Sequence, residues 1–462
     1  MPIEKFPIHQ GGGTIKPHSI TVGPAVDNVR YLWVTSDNNK LVQIDRGDPN
    51  AQATFTDMIP PLSAGITSDP TGRKVVWFAS PANQQTVDPI YEFDVDQLRV
   101  INKHNLQDTA RAQTLTTVHF KTGEGESAPT KDYILAAEPM FGNVAYVDVG
   151  KNGASYFQSL PLDQPGFKTW FWSIAATLDS TQTIVTYWLT GQKHGGDQPR
   201  TDNGLYTLTP ATDNTWRRIT LPNGTAQVPI HIIAGDVTEN GERKTCLWIS
   251  ASGKNQILRY DLKNKSWSQS VELTGEPRQL AFGPDGYIWV AGVDKIYRFK
   301  KDSNVASVPS PGLEGGEAHA ICVDPYSSHV WYTDRKNLGI GRYPIPSGGK
   351  SALGKTQLVV QPITSVATAD VAEVPLVASF VADGNPTPGI PLTCRIVSEE
   401  ATFLDGGREH VIPTDVLGQV AFPSVLAGKA EEDVVLEIGW GNHEPPTTVT
   451  LRVRNDLEDD QV

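Results

Sequence analysis

Cysteine is scarce in this chain: Cys246, Cys322 and Cys394 are the three present in 462 residues, and none lies near another in sequence. An odd count without close pairs excludes a zinc ribbon and a disulfide framework. Each sits in an apolar run, which predicts buried thiols and fits a reducing compartment. Long apolar stretches are missing as well. No run of 18 apolar residues occurs, so neither a transmembrane helix nor membrane insertion is expected. The opening MPIEKFPIHQGGG has neither the basic segment nor the apolar stretch of a secretory signal. Localisation stays open between the cytoplasm and export by a route without such a signal. Helical periodicity is equally absent: no window of 11–18 residues repeats apolar side chains at i, i+3, i+4 and i+7 between caps. Positive charge is in deficit. The net charge is −13, which gives no reason to expect a nucleic-acid partner. Most of that charge is local, since residues 356–462 hold 5 Lys and Arg against 17 Asp and Glu.

What is present are short apolar or alternating runs broken by Gly, Pro, Asn and Asp, the pattern of an all-β chain. GEAHAICVDPYSSHVWYTD (Gly316–Asp334) shows the recurring unit: a short strand, a Pro- or Asp-containing turn, then an aromatic strand ending in a small or polar residue. Gly275–Gly292 and Pro17–Ser36 repeat it. Aligning the aromatic strands gives seven units, at Trp33, Trp77, Tyr133, Trp188, Trp248, Trp289 and Trp331. Their aromatic residues are expected to fill the core. The last two intervals, 41 and 42 residues, equal one four-stranded propeller blade. Polar insertions at Thr122–Lys131 and Gly191–Gly204 lengthen earlier units, and a third strand follows most of them. IEKFPI (Ile3–Ile8) reads as the outer strand of the last unit, beside IGRYPI, closing the ring without a free edge.

A Gly-, Ser- and Lys-rich linker, Pro346–Thr356, follows. Beyond it about 95 residues of alternating strands with DGNP and PTPG turns have the rhythm of an immunoglobulin-like sandwich. The expected fold is therefore all-β: a seven-bladed β-propeller over 1–347, an immunoglobulin-like β-sandwich over 357–455, and an acidic tail over 456–462.

Several residues open first strands and so face one mouth of such a ring. His18 opens the first unit, Trp170 and Trp172 the fourth, His231 the fifth and Arg278 the sixth. Glu317 and His319 open the seventh, two residues apart and so on one face of an extended chain. Tryptophans beside polar groups suit a flat sugar ring or another apolar face. Residues in these places also serve simply to line a channel.

The units PHSITVG, PRQLAFGPDGYIWVAG and EAHAICVDPYSSHVWYTDRKNLGIGR resemble the streptogramin B lyase (virginiamycin B lyase) family of seven-bladed propellers. VADGNPTPGIPLTCRIV and TDVLGQVAF, within Val366–Val453, are similar to the invasin/intimin-type bacterial immunoglobulin-like domain. The first resemblance implies a carbon–oxygen lyase that opens a cyclic ester, with Mg²⁺ polarising the carbonyl and a histidine as base. Carried over by position, His319 would be the base, and Glu317 and Asp334 would be metal ligands. Asp334 stands where that family has Glu, and Arg278 where it has a metal-binding His. A guanidinium cannot ligate a metal and places a fixed positive charge there instead.

Three functions follow as expectations. The first is a binding protein whose polar mouth takes a small anionic or carbohydrate-like ligand through Arg278, His18, His231, Trp170 and Trp172, with the sandwich as a presentation module. The second is the metal-assisted lyase with an altered site. The third is a scaffold that meets a protein partner, including through the immunoglobulin-like domain. Fold alone separates none of them.

Overall fold

The computed structural model describes residues 3–8, 15–26, 29–37, 40–55, 65–70, 73–79, 89–106, 112, 114–123, 130–138, 143–149, 151, 154–156, 168–179, 183–194, 203–222, 227–239, 242–268, 270–283, 287–301, 303, 306, 312–324, 329–345, 356–360, 366–367, 376–382, 385–386, 391–398, 401–403, 407–414, 419–422, 425–426, 433–439, 447–451 and 453–454. The protein is all-β, built from small antiparallel sheets. Among the described residues no helix is long and apolar enough to cross a membrane. Contacts divide the chain into two compact units, one of Met1–Asp324 with Ser328–Pro346 and one of Ser347–Val462 with Pro325–Ser327.

In the first unit seven sheets follow one another along the chain, their strands in sequence order except that Val271–Glu272 also pairs with Gln256–Asp261 in the fifth and the seventh takes in Glu4–Pro7. Their first strands are Pro17–Val26, Ile66–Ser68, Thr114–Lys121, Lys168–Leu178, Pro229–Glu239, Pro277–Phe282 and Ala318–Asp324. Each first strand touches that of the next sheet, and the seventh touches the first, so the contacts form a closed cycle. The seventh sheet is completed by the chain's own start. Glu4–Pro7 pairs antiparallel with Gly339–Pro344, as the sequence pattern of Ile3–Ile8 predicts.

Packing explains the cycle. Seven apolar clusters fill the seven junctions between consecutive sheets, and each aromatic second strand presents its large ring forward. Trp33 packs among residues of the second sheet, Trp77 the third, Trp188 the fifth, Trp248 the sixth and Trp289 the seventh. Trp331 returns to the first. A two-residue side-chain period gives every strand two buried faces here, because both faces of each sheet meet a neighbour. This is why strands such as Val75–Ala79 read as unbroken apolar runs. Cys246 and Cys394 are buried as expected, but Cys322 is only partly so.

The polar insertion expected to begin at Gly191 begins later. The second strand of the fourth sheet runs on to His194, because Lys168–Phe171 pairs with Gly191–His194. The rest of that insertion, residues 195–202, lies outside the described residues, as do 124–129, most of the linker and the tail 456–462.

The second unit has two main sheets. One joins Thr356–Val360, Leu376–Ala382, Asn385–Pro386 and Gln419–Phe422; the other joins Glu409–Pro413, Pro391–Ile396, Val434–Gly439 and Thr447–Leu451. Thr356, expected to end the linker, is already strand, paired with Ala382. Phe380 and Phe422 of one sheet share a single core with Leu392, Leu436 and Ile438 of the other. Val434–Gly439 alternates buried and half-buried residues, as a sheet with one covered face requires.

Candidate functional site

Five of the seven first strands break register near their start. The ladders skip from Pro17 to Ile20, Phe171 to Ser173, Pro229 to His231, Pro277 to Leu280 and Ala318 to Ile321. The skipped residues are His18 and Ser19, Trp172, Ile230, Arg278 and Gln279, and His319 and Ala320. All eight line one cavity of about 470 Å³. A bulge frees a residue from the ladder and re-aims its side chain, and here the five bulges converge on the same space.

The freed backbone groups are caught by hydroxyls on second strands. Thr333 Oγ1 accepts from Ala320 N–H at 2.9 Å and donates to the His18 carbonyl of the next sheet at 3.2 Å. Ser250 Oγ accepts from His231 N–H at 2.9 Å, and Thr35 Oγ1 from Ser19 N–H at 3.2 Å. Thr190 Oγ1 donates to the Ile230 carbonyl at 3.2 Å. Each hydroxyl stands two residues after the sheet's tryptophan, at 33, 188, 248 and 331. Gln279 does the same work between sheets, its Oε1 accepting from Ile321 N–H at 2.9 Å.

The cavity wall combines neutral imidazoles with cations. His18 and His319 meet edge-on, ring centroids 4.7 Å apart. Burial, then the charges of Arg335 and Lys16, lower the His18 pKa to about 3. Burial lowers His231 to about 4, and its Nδ1 accepts from Leu280 N–H at 3.3 Å. His319 falls well below its ordinary value through burial, then His18, Arg335 and Arg278. All three rings are therefore uncharged at neutral pH. Arg278 Nη1 lies 3.2 Å from Glu276 Oε1, and Arg335 Nη2 donates to Asp37. Four buried nitrogens of the wall have no hydrogen-bond partner among the described residues: His18 Nδ1, Trp172 Nε1, Arg278 Nε and Arg335 Nε.

Five of the expected site residues thus come together: His18, Trp172, His231, Arg278 and His319. Trp170 does not line the cavity. It pairs with Gln192 in the ladder and lies beside Trp172, ring centroids 6.1 Å apart. Glu317 and Asp334 stand apart from it too. Asp334 is buried, with Oδ1 accepting from Glu317 N–H at 2.9 Å and Asn337 N–H at 3.0 Å, and Oδ2 from Asn337 Nδ2 at 2.9 Å. Its carboxylate holds a turn.

Among the described residues no three His, Cys, Asp or Glu side chains come within reach of one metal ion. Arg278 lines the cavity with His319 where the lyase pattern needs a third ligand, so these residues do not fit a bound Mg²⁺. Glu276, Gln192, Ser252 and Arg335 also line the cavity and were not anticipated. Arg335 follows the second strand of its sheet directly, a position that only the cyclic packing turns toward the first strands. The chain matches no protein-family model and no curated protein.

Proposed function

We propose that the first unit is a seven-bladed β-propeller that binds a small, oxygen-rich ligand in the cavity formed by its first-strand bulges. The seven sequential sheets and their closed cycle of first-strand contacts support the architecture. One observation carries the binding reading: Trp172 Nε1, Arg278 Nε and Arg335 Nε are buried donors without partners among the described residues, all in the wall of one cavity. A buried donor left unpaired is costly, and a ligand rich in acceptor oxygens relieves that cost. The second unit is proposed as an immunoglobulin-like sandwich, a separate module able to present the propeller or meet a protein partner. Its support is the pair of sheets around one core.

The test is calorimetry of the whole chain against a panel of monosaccharides, sugar acids and small organic acids. At least one is expected to bind saturably. Trp172→Ala should weaken it about tenfold or more, the loss of one stacking face and one donor. Trp170→Ala should leave it unchanged. Saturable binding that responds equally to both substitutions, or no binding across the panel, overturns the reading.

A further inference from the structure

The cavity contains two guanidinium groups, and how each is already engaged restricts the ligand's charge. Arg278 projects from the bulge of the sixth sheet, and Arg335 follows the second strand of the seventh. The first strands of these two sheets are neighbours. Both side chains line the same cavity, together with His319. Each spends one Nη on a protein carboxylate, Glu276 for Arg278 and Asp37 for Arg335. Each keeps Nε buried and, among the described residues, unpaired. A guanidinium carries five donors in a fixed fork, so the edge not used by the protein stays available to a second oxyanion.

The acids also set how much charge can be accepted. Glu276 and Asp37 offset most of the two positive charges, and the three imidazoles add none. Lys16 Nζ, 4.0 Å from Asp37 Oδ2 and half-exposed, adds a third positive charge and leaves the group with one net positive charge. The site therefore matches a single negative charge and leaves a phosphate dianion under-compensated. Beside the guanidinium pair stand Trp172, with a ring face and an indole N–H, and imidazoles that donate to or accept from hydroxyls.

We propose that the ligand is a uronic acid or an acid-terminated sugar, its single carboxylate held between Arg278 and Arg335 and its ring hydroxyls met by Trp172 and the histidines. This rests on the binding reading above. It goes further in fixing the charge, the charged group and the two residues that read it.

The experiment is calorimetry of the full chain with D-glucuronate, D-galacturonate, D-glucose and glucose 6-phosphate at one ionic strength. A uronate is expected to bind at least about tenfold more tightly than glucose, and more tightly than the phosphate ester. Arg278→Gln and Arg335→Gln should each reduce uronate affinity about tenfold or more and glucose affinity by clearly less. Arg278→Lys keeps the charge but loses the fork, and should recover only part of the loss. Thermal melts of each variant show that it is folded. If glucose binds as tightly as both uronates, or the two Gln variants weaken glucose and uronate alike, the carboxylate clamp is overturned while the binding cavity stands. Tighter binding of glucose 6-phosphate overturns the single-charge assignment in the same way. If none of the four binds, the clamp is overturned, and the binding reading then stands or falls on the wider panel.

Discussion

His18, His231 and His319 stay neutral in the folded protein, whereas the unfolded chain protonates its histidines near pH 6.5. The unfolded state therefore binds more protons below that pH, and stability must fall as pH falls. The loss begins at about pH 6.5 and continues toward the folded values, about 4 for His231 and about 3 for His18. Each such group steepens the decline by at most about 1.4 kcal/mol per pH unit. Urea midpoints measured from pH 7.5 to 5 should show a steep decline that flattens in a His18→Asn, His319→Gln double variant. An unchanged slope in that variant would mean that the two rings are not held neutral. Single residues also show where sequence reading stopped. Asp334 was legible as a carboxylate after an aromatic strand, and its place in a family pattern drew it toward a metal. The local signal pointed elsewhere. Asp334 is followed three residues on by Asn337, and Asp261 by Asn264, and both pairs close the same side-chain and backbone hydrogen bonds. An Asp that binds backbone N–H groups ahead of it is a turn residue first.

At the scale of the strand, the sequence showed where elements lie but not where they break. Apolar alternation places Pro17–Val26 or Ala318–Asp324 as strands, yet a bulge costs only one or two positions of that alternation. What marks the bulge is on the partner strand: the hydroxyl two residues after the tryptophan, at Thr35, Thr190, Ser250 and Thr333. In the sixth sheet that place is Ala291, and Gln279 from the bulge itself bridges to the seventh sheet instead. Thr333 carries the most, because it joins the bulge of the seventh sheet to the His18 carbonyl of the first. Thr333→Val keeps the shape and removes both bonds, leaving the Ala320 N–H and the His18 carbonyl each without this partner. The expected loss is about 1–3 kcal/mol by chemical denaturation. A uronate that binds the cavity should also bind more weakly, since His18 and His319 lose their fixed position. Full stability together with full affinity would show that the hydroxyl does not hold the bulge.

For the whole molecule, the period of the aromatic strands was the strongest signal, because each tryptophan has to fill a junction with the next sheet, and the junction repeats with the sheet. The convergence of Arg335 with Arg278 had no such signal, since it depends on the cycle being closed. Closure itself rests on the first residues of the chain. Glu4–Pro7 pairs with Gly339–Pro344, and Arg342 bonds Glu4. Lys5 Nζ donates to the Leu313 carbonyl at 2.7 Å, and the Phe6 ring lies 6.1 Å from Trp331. Ile8 is buried in the junction between the seventh and first sheets, the same cluster that holds Trp331. Removing residues 1–8 would take away these contacts and leave Gly339–Pro344 as an unpaired edge. Burial of Ile8 and the partly buried Phe6 contributes about 3–5 kcal/mol by apolar area alone. The truncated chain should therefore melt at a lower temperature and, with its edge strand open, associate as concentration rises. A peptide of residues 1–10 added in trans should restore part of the melting temperature, because it can pair with Gly339–Pro344 again. Melts at several concentrations, with and without the peptide, check this. A truncated chain that melts like the intact one, at every concentration, would mean that the cycle closes without its first strand.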